Sequence, residues 1–150
     1  MINSKFHLSK DLLTFLSTHS KFLSQNNKSI EGNSIGIYAD DVFETLLVLL
    51  QPSFEDLFGV KLIPTYSYYR RYFKGIDLKK HFDRESCEYS VTILLGCSEP
   101  ETPWEIFIDE KPYKLKVGEG VIYKGIEQEH YRKQCNMKFS YHVFLHYVNE

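Results

Sequence analysis

A chain of 150 residues that is 43% hydrophobic has enough apolar side chains for one packed core and is short for several domains. Its 18 Lys and Arg against 20 Asp and Glu leave a net charge of -2, which exerts no general pull toward nucleic acid or an anionic membrane. Three cysteines, Cys87, Cys97 and Cys135, show no paired metal-knuckle spacing, so a reducing compartment with buried or idle thiols is expected.

The N-terminal "MINSKFHLSKDLLTFL" lacks the small-residue cleavage site of a signal peptide, and no apolar run reaches membrane-spanning length, so the cytoplasm is the expected location. The first fifty-odd residues read as helical. In "SKDLLTFLSTHSKFL", Ser9 is placed to cap, and Leu12, Phe15, Leu16, His19 and Leu23 follow at helical spacing. "QNNKSIEGNS" is a polar break. "DDVFETLLVLLQ" predicts a second helix with acidic residues at its positive end, stopping before Pro52. "SFEDLFG" then reads as one more short turn ending at Gly59.

From residue 60 the pattern becomes period-2 and aromatic. "KLIPTYSYYRRYF" puts Tyr66, Tyr68, Arg70 and Tyr72 on one face, and Gly75 ends it. "EYSVTILLG", "WEIFID", "YKLKV", "GVIYKG", "EHYRK" and "FSYHVFLHYV" follow as short strands between turn residues. Helices followed by many strands predict an α+β chain whose β part is a sandwich or closed barrel. With no repeat or linker in sight, residues 1–150 read as one domain, helical over about 1–59 and β over about 60–150. Arg70, Arg71, Lys74, Lys79, Lys80 and Arg84 are interrupted by aromatic and acidic residues, as in a solvated edge.

"HFDRESCEYSVTILLG" places His81 and Asp83 two apart beside a β-type run, where both can face one spot. Such a pair occurs often by chance and needs a third group. His130 supplies it, on a strand late in the β region. Two imidazoles and a carboxylate make the facial triad that holds Fe(II) with open positions, and Zn²⁺ can use the same ligands.

These residues and their surroundings resemble the iron(II)/2-oxoglutarate-dependent dioxygenases, specifically the prolyl 4-hydroxylase-like branch. The resemblance runs from Tyr66 to Tyr147. It is strongest in "RYFKGIDLKKHFD", where Arg71-Tyr72, Gly75, Leu78, His81 and Asp83 stand at the branch's intervals. "PTYSYYRRYFKG", "CEYSVTILLG", "GEGVIYKG", "EHYR" and "VFLHYV" look like a compact microbial and viral subgroup. The resemblance implies a double-stranded β-helix, a jelly-roll or cupin-like barrel supported by N-terminal helices, with His81, Asp83 and His130 as iron ligands. It also implies 2-oxoglutarate as cosubstrate, molecular oxygen, ascorbate as reductant, and hydroxylation with release of succinate and CO2. Tyr72 matches the family tyrosine lining the 2-oxoglutarate pocket, against an ordinary core aromatic as the plainer reading. Tyr68, on the same face, is a weaker candidate. The substrate is expected to be a small molecule, an amino acid or a peptidyl residue, with the short chain favouring the small ones.

One position departs from the family. Where the branch carries the Arg or Lys that anchors the distal carboxylate of 2-oxoglutarate, this chain has Ser140. A buried carboxylate without a cation is costly, so a substitute is expected. Arg132 shares a strand face with His130 and has the fork suited to a carboxylate. Lys138, at the start of the last strand, is the second choice, ahead of Arg84 and His142. The same gap motivates a rival, a cupin-like metal enzyme without 2-oxoglutarate. A barrel that has lost catalysis and serves as a binding module is a third reading, disfavoured by the intact histidines and aspartate. His142 and His146 read as hydrogen-bonded core or pocket-wall residues, His7 and His19 as structural, and Trp104 as strand packing.

Overall fold

The computed structural model describes residues 3–26, 30–31 and 34–150. In chain order these form β1 (Lys5–His7), α1 (Lys10–Asn26), β2 (Ile30–Glu31), β3 (Ser34–Tyr38), α2 (Asp41–Phe58) and β4 (Leu62–Phe73). There follow β5 (Leu78–His81), a 3-10 turn at Glu85–Cys87, β6 (Tyr89–Cys97), β7 (Ile106–Ile108), β8 (Lys111–Tyr113), β9 (Glu119–Tyr123), β10 (His130–Arg132) and β11 (Phe139–Asn149). The strands make two antiparallel sheets, one of seven in the order β1-β9-β6-β11-β4-β3-β2 and one of four in the order β5-β10-β7-β8.

Capping chemistry starts both helices. The Leu12 amide donates to Ser9 Oγ at 3.3 Å, and the Val42 and Phe43 amides donate to Asp40 Oδ2 at 3.1 and 3.3 Å. Gly59, at φ 75°, closes α2 in the left-handed conformation that glycine adopts without strain. His19 Nε2 meets Asp40 Oδ2 at 2.7 Å and ties α1 to the cap of α2.

Alternation along the long strands divides the interior in two. Val91, Ile93 and Leu95 of β6, Tyr69 of β4 and Val143, Leu145 and Tyr147 of β11 face the helices, against Leu16, Leu23, Phe43, Leu46, Leu47 and Phe54. Intervening residues face the smaller sheet, where Leu94, Val121 and Tyr123 meet Ile106, Ile108 and Leu115. Because β6 is covered on both faces, every residue before Cys97 is buried, the polar Ser90 and Thr92 included, despite its antiparallel neighbours.

Four expectations need correction. α2 does not stop before Pro52 but runs through it. The proline removes the amide that would bond the Val48 carbonyl, at a cost of about 3 kcal/mol in a helix interior. Val48 and Leu49 lie on the solvent face, 60% and 61% exposed, so water can serve that carbonyl. Beyond the proline Phe54 is fully buried, an aromatic burial of about 1.5–3 kcal/mol that offsets most of the loss. Second, the N-terminal part is not wholly helical, since β1 and β3 join the seven-stranded sheet beside β9 and β4. Third, "YKLKV" is not a strand: β8 ends at Tyr113. Asp109 and Glu110, at φ 51° and 66°, form a two-residue hairpin turn that pairs Ile108 with Lys111 and sets the register earlier. Fourth, the residues before His81 form β5, which was not expected. Half of the expected polar break at 25–34, residues 27–29 and 32–33, lies outside the described residues, and the other half falls in α1, β2 and the start of β3. Among the described residues, no helix is long and apolar enough to cross a membrane.

Candidate metal centre

His81 ends β5 and His130 begins β10, and the two are directly opposed in the antiparallel pairing. Opposed residues share one face of a sheet, so the imidazoles meet with ring centroids 4.3 Å apart. Asp83 follows two residues later, where its amide donates to the Gly125 carbonyl at 2.8 Å. Glycine is required there, because a Cβ would collide with the Asp83 carboxylate and the Cys87 carbonyl.

The hydrogen bonds orient both rings. His81 Nδ1 donates to the Lys79 carbonyl at 2.7 Å and His130 Nδ1 to the Gln128 carbonyl at 2.8 Å. A carbonyl can only accept, so each Nδ1 carries a proton and each Nε2 is turned toward the carboxylate. The Nε2 atoms stand 3.3 and 3.2 Å from the same Asp83 Oδ1. Two nitrogen lone pairs and an anionic oxygen repel unless a proton or a metal cation lies among them. The ligand atoms of the three residues lie within 4.8 Å of one another, a spacing that a single ion with bonds of about 2.0–2.2 Å can span. Burial alone would push the Asp83 carboxyl up, but its hydrogen bonds with His130 and His81 outweigh burial and hold it well below the usual carboxylate range. The hydrogen bond to Asp83 raises the His81 imidazole.

The three residues open on a cavity of about 190 Å³, whose other walls include Tyr66, Tyr68, Tyr72, Arg84, Cys87 and His146. Tyr68 stacks on Tyr38 at 4.2 Å. Tyr72 is buried, with its ring edge-on to Trp104 at 5.1 Å and to His142 at 5.7 Å.

Behind Tyr72 lies Arg132, 2% exposed. Its Nη1 donates to the Trp104 carbonyl at 2.9 Å and its guanidinium covers the Trp104 indole at 4.9 Å. Its Nε and Nη2 have no partner among the described residues, nor does Nδ1 of the adjacent His142. Burial lowers the pKa of Arg132, and burial, reinforced by Arg132, holds that of His142 well below the ordinary imidazole value. Leaving two buried guanidinium donors unpaired costs several kcal/mol, and an anion supplied from outside removes that cost. Ser140 accompanies them, its Oγ 2.8 Å from His142 Nε2.

Lys138 is elsewhere. It is exposed and lines a separate depression with Cys97, Ser98, Glu99 and Phe139. Trp104 lies in irregular chain before β7, so its packing is off-strand. Its indole N–H donates to the Lys133 carbonyl at 2.8 Å, which steadies the segment over Arg132. Sequence reasoning missed Tyr123, whose ring packs on His130 at 4.8 Å, and the inward aim of Cys87. A strand tyrosine and a lone cysteine carry no such signal before the sheets are assembled.

No protein-family model matches the chain, and no curated protein matches it in sequence. Solved structures do match in shape. The viral collagen prolyl hydroxylase of Paramecium bursaria Chlorella virus-1, solved as its 2OG complex, superposes with a TM-score of 0.75 at 13% identity, over 100% of this chain and 97% of that one. The non-haem alpha-ketoglutarate-dependent epimerase SnoN of nogalamycin biosynthesis gives 0.78 at 10% identity, over 98% and 78%. A prolyl hydroxylase of Trichoplax adhaerens, in complex with a hypoxia-inducible-factor degradation-domain peptide, gives 0.73 at 12% identity, over 98% and 83%. With identities this low the likeness is one of architecture, and it agrees with the two facing antiparallel sheets: this chain is folded as a double-stranded β-helix.

Proposed function

We propose that the chain is an Fe(II)- and 2-oxoglutarate-dependent oxygenase that hydroxylates a small molecule, an amino acid or a peptidyl residue. One observation carries this reading. Two cross-strand imidazoles, each with Nδ1–H tied to a backbone carbonyl, aim their free nitrogens at one carboxylate oxygen. His81, Asp83 and His130 would hold the metal, leaving positions open for other ligands. Arg132 would take the distal carboxylate of 2-oxoglutarate through Nε and Nη2, with Tyr72 lining the pocket between and Tyr68 nearer its mouth. The unpaired state of that guanidinium favours this reading over a cupin-like metal enzyme without cosubstrate.

Loaded with Fe(II), 2-oxoglutarate and oxygen, such a centre would couple decarboxylation to succinate and CO2 to insertion of one oxygen atom into a C–H bond, with 2-oxoglutarate supplying the two electrons and ascorbate serving only to keep the iron as Fe(II). The chain's own work is narrower. It orients the three ligands, neutralises the cosubstrate's charge and walls the reaction from water with Tyr66, Tyr68 and Tyr72. A cavity of about 190 Å³ suits a small substrate or a single residue of a peptide, and the structural neighbours include an epimerase of nogalamycin biosynthesis and a prolyl hydroxylase holding a peptide. The described cysteines are all unpaired, in keeping with a cytoplasmic setting.

The test is turnover with Fe(II), ascorbate and oxygen. Slow conversion of 2-oxoglutarate to succinate is expected even without substrate, and none in the Asp83→Ala variant. If calorimetry on metal-loaded protein detects no 2-oxoglutarate binding, the cupin-like reading replaces this one.

A further inference from the structure

The cavity holds a second group of metal-ligating side chains, which shares Asp83 with the first and adds two, Cys87 and His146, that the oxygenase reading does not use. Ligand atoms of Asp83, Cys87 and His146 also lie within 4.8 Å of one another. Asp83 has an oxygen for each group: Oδ1 faces His81 and His130, while Oδ2 points to the other side, 3.5 Å from Ser90 Oγ. Cys87 and His146 are buried and both line the cavity wall.

The surrounding hydrogen bonds prepare both new ligands. Ser90 Oγ lies 3.0 Å from the Cys87 carbonyl and 2.8 Å from His146 Nδ1. The hydroxyl has one proton, and the carbonyl, or the nearby carboxylate, can only accept it. Ser90 oxygen therefore accepts from His146 Nδ1–H, which leaves His146 Nε2 with a free lone pair. On the other flank Arg84 Nη2 donates to Tyr66 Oη at 3.0 Å, and Tyr66 Oη stands 3.2 Å from Cys87 Sγ. With its oxygen already accepting from Arg84, the phenol directs its own proton at the sulfur, a hydrogen bond that works against the burial holding the Cys87 thiol above its ordinary value.

We propose that Asp83, Cys87 and His146 form a second cation site, built for a thiophilic divalent ion such as Zn²⁺. Carboxylate, thiolate and neutral imidazole are the three zinc ligand types, and three protein ligands leave a position open. Sulfur distinguishes this site from the nitrogen and oxygen set of His81, Asp83 and His130, and biases it toward softer ions. Binding forms the metal–sulfur bond and releases the thiol proton to solvent.

Co²⁺ is the probe, because a cobalt–thiolate bond gives an intense near-ultraviolet charge-transfer band that imidazole and carboxylate ligands do not. Metal-free protein titrated with Co²⁺ should develop this band, and added Zn²⁺ should abolish it by displacement. The band should survive in a His81→Ala, His130→Ala double variant and vanish in Cys87→Ser. In His146→Gln, Co²⁺ affinity read from the band should fall by about tenfold or more. Circular dichroism establishes that each variant is folded. Wild-type protein with visible ligand-field bands but no charge-transfer band overturns the second site and leaves the first standing. A band retained in Cys87→Ser also overturns it, since the sulfur would then be Cys97 or Cys135.

Discussion

The metal-ligand end of the cavity and the buried surroundings of Arg132 behind its Tyr72 wall treat charge in opposite ways. At the His81–Asp83–His130 end, an anionic oxygen is held between two imidazoles whose polarity is set by backbone carbonyls. Around Arg132, a buried cation has one hydrogen bond, one aromatic face and no anion among the described residues. The first arrangement is completed by a cation and the second by an anion. An elongated ligand that chelates a metal at one end and carries a carboxylate at the other satisfies both, which is the electrostatic logic of the proposed cosubstrate.

Breaking the metal end should have the largest effect. Asp83→Ala removes the only anionic ligand, and Fe(II) or Mn²⁺ affinity by calorimetry should fall by more than about 100-fold, above the range for outer-shell changes. Circular dichroism should be unchanged, because Asp83 lies in the cavity wall and not in the apolar core; an unfolded variant would assign Asp83 a structural role instead.

Breaking the anion end should separate binding from stability. Arg132→Met should lower 2-oxoglutarate affinity by about 100-fold or more, as expected for loss of a charge-assisted pair worth about 3 kcal/mol, while metal binding persists. The same substitution should stabilise the ligand-free protein by about 1–3 kcal/mol, since an uncompensated buried charge is replaced by an apolar chain of similar length. A fall in melting temperature would mean that the guanidinium already has its compensation within the chain. Arg132→Lys keeps the charge but loses the fork, and should weaken 2-oxoglutarate by a smaller factor of about 10.

A pH dependence sharpens the comparison. Burial, then the neighbouring guanidinium, depresses the His142 pKa. The unfolded chain binds that proton near pH 6.5 while the folded chain does not. Stability is therefore fully present above about pH 6.5 and falls as pH drops below it, by up to about 1.4 kcal/mol per pH unit from this residue. His142→Asn should flatten the decline in urea-unfolding free energy between pH 6.5 and 5. An unaltered slope would mean that His142 stays uncoupled from folding.

Lys138→Ala should have the smallest effect, leaving 2-oxoglutarate affinity within about twofold, since the residue is exposed in a different depression. A large loss there, with Arg132→Lys unchanged, would move the anchor to Lys138.

Much of this organisation can be read from residue types and period. The alternation of β4 predicts the face on which Tyr66, Tyr68, Arg70 and Tyr72 line the cavity, and Ser9 and Asp41 mark the helix starts to within a residue. What escaped depends on distant chain. β3 is five residues, and its Gly36 is tolerable in a strand because the Tyr68 ring occupies the place of a side chain. Pro52 sits in a helix because Phe54 is needed in the core. The register of β8 follows from two left-handed acidic residues without the glycine that usually announces such a turn. The Asp83–Cys87–His146 group joins two separate stretches, and only the pairing of β6 with β11 brings Ser90 opposite His146.

The position of β5 has a consequence for the lifetime of the protein. This four-residue strand is the outer member of the smaller sheet, bonded among the described residues to β10 alone. Its last residue, His81, and its partner's first, His130, are the two imidazoles of the proposed metal centre. An ion between them would act as a clasp on the end of a short peripheral ladder, one otherwise free to fray. Amide exchange at Leu78–His81 would then report occupancy directly, slow with the ion in place and fast without it. The metal-depleted chain would expose an unzipped segment to proteases, so metal supply would govern how much of the protein persists.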